Sequence, residues 1–266
     1  MPLAELAAYL GIGAITGFLA GLLGIGGGLI IVSSLALMFA AHAGFPSQYI
    51  MHFAIGTSLA AIMAGTWSSF RTHHRHGAVD WPVVKTMTPG LLLGVLGGVS
   101  IARFVPTAFL KYFFLAFMGF MTFVMAFNLR PKPSRDLPGK GGLWGWALFI
   151  GAVSSLFGRG AAAIGVPFFT WCNMSVHRAI GTCSAMGFPL AVAGTVGYAI
   201  AGWSVVGLPE WSLGFVYLPA FVGISATSVL AAPFGARLAH KLRGATLRRI
   251  FALFLIVMGI KLAVSV

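Results

Sequence analysis

The stretch GFLAGLLGIGGGLIIV, residues 17–32, decides how the whole chain is read. Its flanks have the leucine and isoleucine content of a membrane helix, but its centre, GIGGG at 24–28, holds four glycines in five residues. Each glycine costs about 1 kcal/mol against alanine in a helix interior, so the segment predicts a helix that breaks there. A break inside an apolar segment needs a reason.

Composition sets the class of answer. The chain has 266 residues, 59% hydrophobic and 8% charged, with a mean hydropathy of +0.96. Soluble domains of this length do not keep so few charges, so the chain reads as a polytopic, all-α membrane protein. Apolar runs near the ~20 residues needed to cross a bilayer recur at 4–23, 26–42, 50–70, 83–102, 109–128, 143–160, 161–172, 177–201, 213–235 and 246–265. Those at 26–42 and 161–172 are short, the length of one arm of a re-entrant hairpin. Residues 1–23 lack a basic start and run on into more apolar sequence, so they read as a span and not as a leader.

The net charge of +13 sits in short connections, which points to positively charged cytoplasmic loops and excludes a nucleic-acid surface. Arg71, Arg75 and Lys85 form one such group, Arg130, Lys132, Arg135 and Lys140 a second, Arg178 stands alone, and Arg237, Lys241, Arg243, Arg248 and Arg249 form the last. The connections at 43–49 and 202–212 hold no Lys or Arg and are expected outside, as is the turn flanked by Arg103 and Lys111. Cys172 and Cys183 lie in or beside apolar runs and read as small buried residues.

The segment HFAIGTS at 52–58 returns as HRAIGTC at 177–183, pairing His52 with His177 and Thr57 with Thr182. GFLAGLLGIGGGLIIVS, from 17, corresponds to GAVSSLFGRGAAAIGVP, from 151; Asp80-Trp81 is matched to Glu210-Trp211 and Pro89 to Pro219. The chain thus divides into an N-terminal repeat, 1–129, a basic cytoplasmic linker, 130–140, and a C-terminal repeat, 141–266. The loop after the AIGT segment is basic in the first half (RTHHRHG) and free of basic residues in the second (GWSVVGLPEW). Equivalent loops therefore belong on opposite membrane faces, which makes the repeats inverted, with about five helical segments each.

In inverted-repeat transporters, paired glycine-interrupted helices mark a substrate site near the midplane, where irregular backbone lines a cavity. Helix N-termini there present free N–H groups and favour an anion. The candidate substrate-binding residues are Gly24, Gly26, Gly27 and Gly28 in one half, and Gly158, Arg159 and Gly160 in the other. Arg159 offers a planar fork of donors to an oxyanion, against the alternative that it snorkels to headgroups. Thr57 and Thr182 are candidate hydroxyl donors, while Ser58 and Ser184 are assigned to packing. His52 and His177 are candidate gating residues. The acidic residues Glu5, Asp80, Asp136 and Glu210 all lie near segment ends, which disfavours carboxylate proton relays. HHRH at 73–76 reads as a solvated loop, and no metal or cofactor is called for.

These features resemble the TauE/SafE family of sulfite and organosulfur exporters: the opening GFLAGLLGIGGG, the AIGTSL helix, and the duplication of both after a central basic linker. GRGAAA departs from the family's glycine-rich run. The resemblance implies a multi-pass protein of the bacterial inner membrane. It would carry a small sulfur-containing oxyanion such as sulfite, sulfoacetate or a similar sulfonate, with the lipid bilayer as its other partner and no nucleic acid. The expected function is a secondary transporter or facilitator. An anion channel is the alternative, and a membrane-embedded enzyme is disfavoured because no segment offers a paired base and nucleophile. Oligomeric state is left open, with a homodimer among the options.

Overall fold

The computed structural model describes residues 3–23, 27–42, 44–127, 134–158, 160–239 and 244–265. Ten α-helices follow one another: α1 Leu3–Leu23, α2 Gly28–Ala41, α3 Ile50–Arg75, α4 Trp81–Phe104, α5 Thr107–Ala126, α6 Lys140–Phe157, α7 Ala162–Trp171, α8 Val176–Gly202, α9 Leu218–Ala239 and α10 Gly244–Ser265. The chain is all-α and polytopic; four stretches, Ser47–Arg75, Trp81–Phe104, Thr107–Val124 and Val176–Gly202, are long and apolar enough to cross a membrane. One departure from the expected segments is a small antiparallel hairpin, β1 Ser212–Leu213 paired with β2 Val216–Tyr217. It occupies the start of the run expected at 213–235, so α9 begins only at Leu218. Gly214, at φ +55, supplies the left-handed residue of its turn and lies against Ala199 O of α8, where a side chain has no room.

The two short helices are arms of hairpins. α1 and α2 close on each other at one end, where His42 Nε2 meets Glu5 Oε1 at 2.6 Å. α7 returns to the segment ahead of α6, because Trp171 O accepts from the N–H groups of Ser134 and Arg135. α6 ends at Gly158, whose φ of +63 closes a left-handed cap with its N–H on Ser154 O.

Helices from the two halves of the chain pack on each other. α1 lies along α9 and α6 along α4. Gly13 and Gly17 meet the α9 backbone at Ile224 and Ser228, and Gly94 and Gly98 meet that of α6 at Leu148 and Ala152. Such small-residue seams let helices approach where lipid supplies no hydrophobic driving force. At the centre, α3 and α8 run antiparallel: Gly56 lies against Tyr198, Leu59 against Gly194, and Ser69 Oγ is 3.2 Å from Ser184 Oγ. From Ile50 to Ala61 every residue of α3 is buried, so this half-helix is dry on all sides.

Candidate functional site

The tips of the two hairpins meet at Ser58. Its hydroxyl donates to Gly158 O at 3.0 Å and also reaches Gly28 O at 3.4 Å. Gly158 nests between Val32 of α2 and Ile55 of α3, so closely that a Cβ there would come within 2.7 Å of Val32 Cγ2. Gly27, the residue before α2, packs on Thr16 of α1 at a distance that leaves a Cβ only 3.1 Å from Thr16 O. Beside Gly160 a Cβ would meet nothing within 4 Å, so the second tip borders open space.

Both returning helices begin without a side-chain cap, at Gly27 for α2 and Ala161 for α7. Gly27 O takes the N–H groups of Ile30 and Ile31, and Ala161 O takes that of Gly165, which are the first intrahelical bonds. The amides ahead of them are those a helix cannot satisfy internally, and they carry the positive end of its dipole. Gly24, Gly26 and Arg159 lie outside the described residues. Of the remaining expected site residues, the structure brings Gly28 and Gly158 together at Ser58, while Gly27 packs on Thr16 and Gly160 faces open space.

Thr57 and Thr182 hold backbone amides through their oxygen lone pairs. Thr57 Oγ1 accepts the N–H of Tyr217, one residue before α9, and Thr182 Oγ1 accepts the N–H of Asp80, one residue before α4, both at 3.0 Å. The glycine ahead of each threonine makes room for the same approach: Gly56 faces Phe215 O and Gly181 faces Ala78 O. The AIGT segment is therefore a docking motif, in which glycine admits a carbonyl and threonine receives the amide two residues later. Both hydroxyls are fully buried and engaged as acceptors. At these contacts the counterpart of Asp80 is Tyr217, not Glu210, because the connection after α8 has fifteen residues, 203–217, against five after α3, 76–80.

The two expected gating residues differ. His52 is 1% exposed, donates from Nε2 to Ala102 O at 2.8 Å, and packs its ring on Phe215 with centroids 5.1 Å apart. His177 is exposed at the start of α8. Ser58, assigned from sequence to packing, proves to be the hydroxyl that joins the tips. The available signal was its place beside Thr57, where the repeat changes Ser58 to Cys183. Phe215 and Tyr217 carried no sequence signal beyond being aromatic.

The family model described as sulfite exporter TauE/SafE matches residues 9–262. A protein of Haemophilus influenzae named probable membrane transporter protein is 35% identical over 253 residues, covering 94% of this chain and 95% of the relative. Relatives carrying the same description occur in Methanocaldococcus jannaschii, 25% identical over 94% of this chain and 92% of their own, and in Xylella fastidiosa, 27% identical over 98% and 95%. No solved structure matches. With the model spanning nearly its whole length, this chain belongs to the TauE/SafE sulfite exporter family of membrane transporters.

Proposed function

We propose that this protein is a secondary transporter or facilitator that exports a small sulfur-containing oxyanion, such as sulfite, sulfoacetate or a similar sulfonate, across the bacterial inner membrane. The observation that carries the reading is the convergence on Ser58 of Gly28 O and Gly158 O, one from each hairpin tip. Ala161, the N-cap of α7, is three residues on from Gly158, so two uncapped helix N-termini serve one region. Such a region favours an anion without any fixed cation. Arg159, next in sequence to Gly158, adds the charge and the forked donors that an oxyanion takes. The family description, sulfite exporter, supports the sulfur oxyanion class.

The reading includes inverted halves. It is supported by the antiparallel course of α3 and α8, by hairpins that close at Glu5–His42 and at Trp171–Ser134, and by the crossed docking of Thr57 and Thr182. The molecule moves its substrate without chemical change. An anion leaving a negative interior gains about 2.3 kcal/mol per charge per 100 mV, sufficient to drive export without a coupled ion.

Uptake of labelled sulfite and sulfoacetate into proteoliposomes tests this. The expected result is saturable flux that is stimulated by substrate on the opposite side and follows membrane potential at fixed pH. Arg159→Gln should insert normally and lose most of the flux, Arg159→Lys should keep part of it, and Arg75→Gln should transport as the parent does. Undiminished flux in Arg159→Gln would remove the arginine from the site; flux without stimulation from the opposite side would make the protein a channel.

A further inference from the structure

His52 holds a feature that transport by itself does not explain. Its Nε2 must carry hydrogen, because its partner, Ala102 O, can only accept. Nδ1 is then a bare acceptor, and it is buried with no hydrogen-bond partner. The ring is walled by Tyr49, with centroids 5.6 Å away, and by Phe215. Among the described residues only one other buried side-chain polar atom lacks a partner, Ser212 Oγ, and it belongs to the hairpin that carries Phe215. Buried polar atoms are almost always satisfied, so a bare acceptor on α3 and an unpartnered hydroxyl on the hairpin packed against it need a cause.

The connection 203–217 grips one face of α3 at three successive points: the Phe215 ring on His52, Phe215 O on Gly56, and the Tyr217 N–H on Thr57. Ionisable groups on the surrounding elements are otherwise engaged. Tyr198 donates to Ser155 O, Arg103 reaches Ser204 Oγ, Lys111 donates to Ala263 O, and Tyr217 packs on Tyr9, Phe39 and Phe45. Tyr49 lies edge-on to the histidine and tilted against Phe215. No carboxylate of the described residues hydrogen-bonds the ring.

We propose that His52 is a proton-operated latch: neutral, it holds the 203–217 connection shut over the outer end of the hairpin site, and a second proton on Nδ1 releases it. A proton there adds a donor and a full charge to a ring buried between Tyr49 and Phe215, with the backbone carbonyls of Ala102 and Val105 beside it. The charged ring is better solvated once Phe215 lifts and water enters, because two carbonyls do not replace the hydration of a full charge, so proton binding and opening favour each other. Release also frees Ser212 Oγ to meet water. The outward placement of the connection rests on the inverted arrangement proposed above.

The test is thiol accessibility from outside, in membranes, with a membrane-impermeant maleimide. Val216→Cys reports the buried side of the connection, and Val206→Cys, at a residue 96% exposed, corrects for the reagent's own pH dependence. Rates are compared at about pH 8 and about pH 5.5, on either side of the ordinary histidine range. The corrected rate at position 216 should rise severalfold at the lower pH, and should be flat with pH when combined with His52→Gln, which keeps an N–H for Ala102 O but takes no proton. If that variant does not fold, His52→Asn is the substitute. Hydrogen exchange on the unsubstituted chain gives a second reading: after correction for intrinsic rates, 203–217 should lose protection in acid while 76–80 does not. A corrected rate that is flat with His52 present, or a rise that persists without it, overturns the latch. Labelling of Val206→Cys only from the inner side would instead overturn the topology.

Discussion

The two AIGT segments lock the same backbone geometry with opposite side-chain chemistry. On α3 the lock is dry: Tyr217 joins Phe39, Phe45 and Phe53 in an aromatic cluster, and Phe215 covers His52. On α8 the corresponding positions are Asp80 for Tyr217, Ala78 for Phe215, Arg178 for Phe53 and the exposed His177 for His52. There Arg178 Nη2 pairs with Asp80 Oδ2 at 2.7 Å, and Asp80 also accepts from the N–H of Val83 to cap α4. The two segments thus share what the backbone requires, a glycine and a hydroxyl, while the surrounding side chains differ. The difference shows which residues are needed for assembly and which are free to give each end its own behaviour.

The largest effect is expected from filling the shared part of the lock. Gly56→Leu and Gly181→Leu each push a side chain into a backbone carbonyl that cannot move away without undocking a helix. Overpacking of this kind should cost about 3 kcal/mol or more, and loss of monodisperse protein on gel filtration in detergent is the expected outcome for both. A well-behaved Gly181→Leu beside a collapsed Gly56→Leu would mean that only the dry lock is structural.

Thr57→Val and Thr182→Val test the amide half of the motif. Each leaves a backbone N–H without its acceptor, at about 1–3 kcal/mol when the group stays buried. Thermal melts should fall more for Thr57→Val, because the Tyr217 amide sits in the aromatic cluster, whereas Asp80 lies nearer water. Serine at either position should restore most of the loss. Equal losses would show that the aromatic surroundings do not strengthen the dry lock.

The smallest effect belongs to the ion pair. Arg178 is 57% exposed and Asp80 15%, and pairs so close to solvent contribute about 0–1 kcal/mol. Asp80→Asn keeps an acceptor for the Val83 N–H and removes the charge, so the melt should move little and lose what salt dependence it has. A large drop would mark the charged lock as a structural equal of the aromatic one.

Much of this was legible in the sequence. Hydropathy placed the helices, and GIGGG and GRGAAA marked the two tips, because glycine runs in apolar segments have few other physical reasons to exist. The AIGT duplication located the docking motif, although not the backbone amides that its threonines accept. Sequence does not show that a hydroxyl will accept an amide N–H from 160 or 102 residues away. Ser58 reads as a packing residue because packing serines and bridging serines look alike until the carbonyls they reach are known. The 203–217 hairpin escaped because two-residue strands are too short for a period, and the match of Asp80-Trp81 to Glu210-Trp211 hid the longer connection.

The central claim is that two hairpins enter from opposite membrane faces and meet tip to tip. Single cysteines at Ala41, beside the closed end of α1 and α2, and at Asp136, before α6, read it most directly, since both residues are exposed. An impermeant thiol reagent should label Ala41→Cys only from outside the cell and Asp136→Cys only from the cytoplasmic side, in right-side-out and inverted vesicles respectively. Labelling of both from one side would put the two hairpin mouths on the same face and contradict the account.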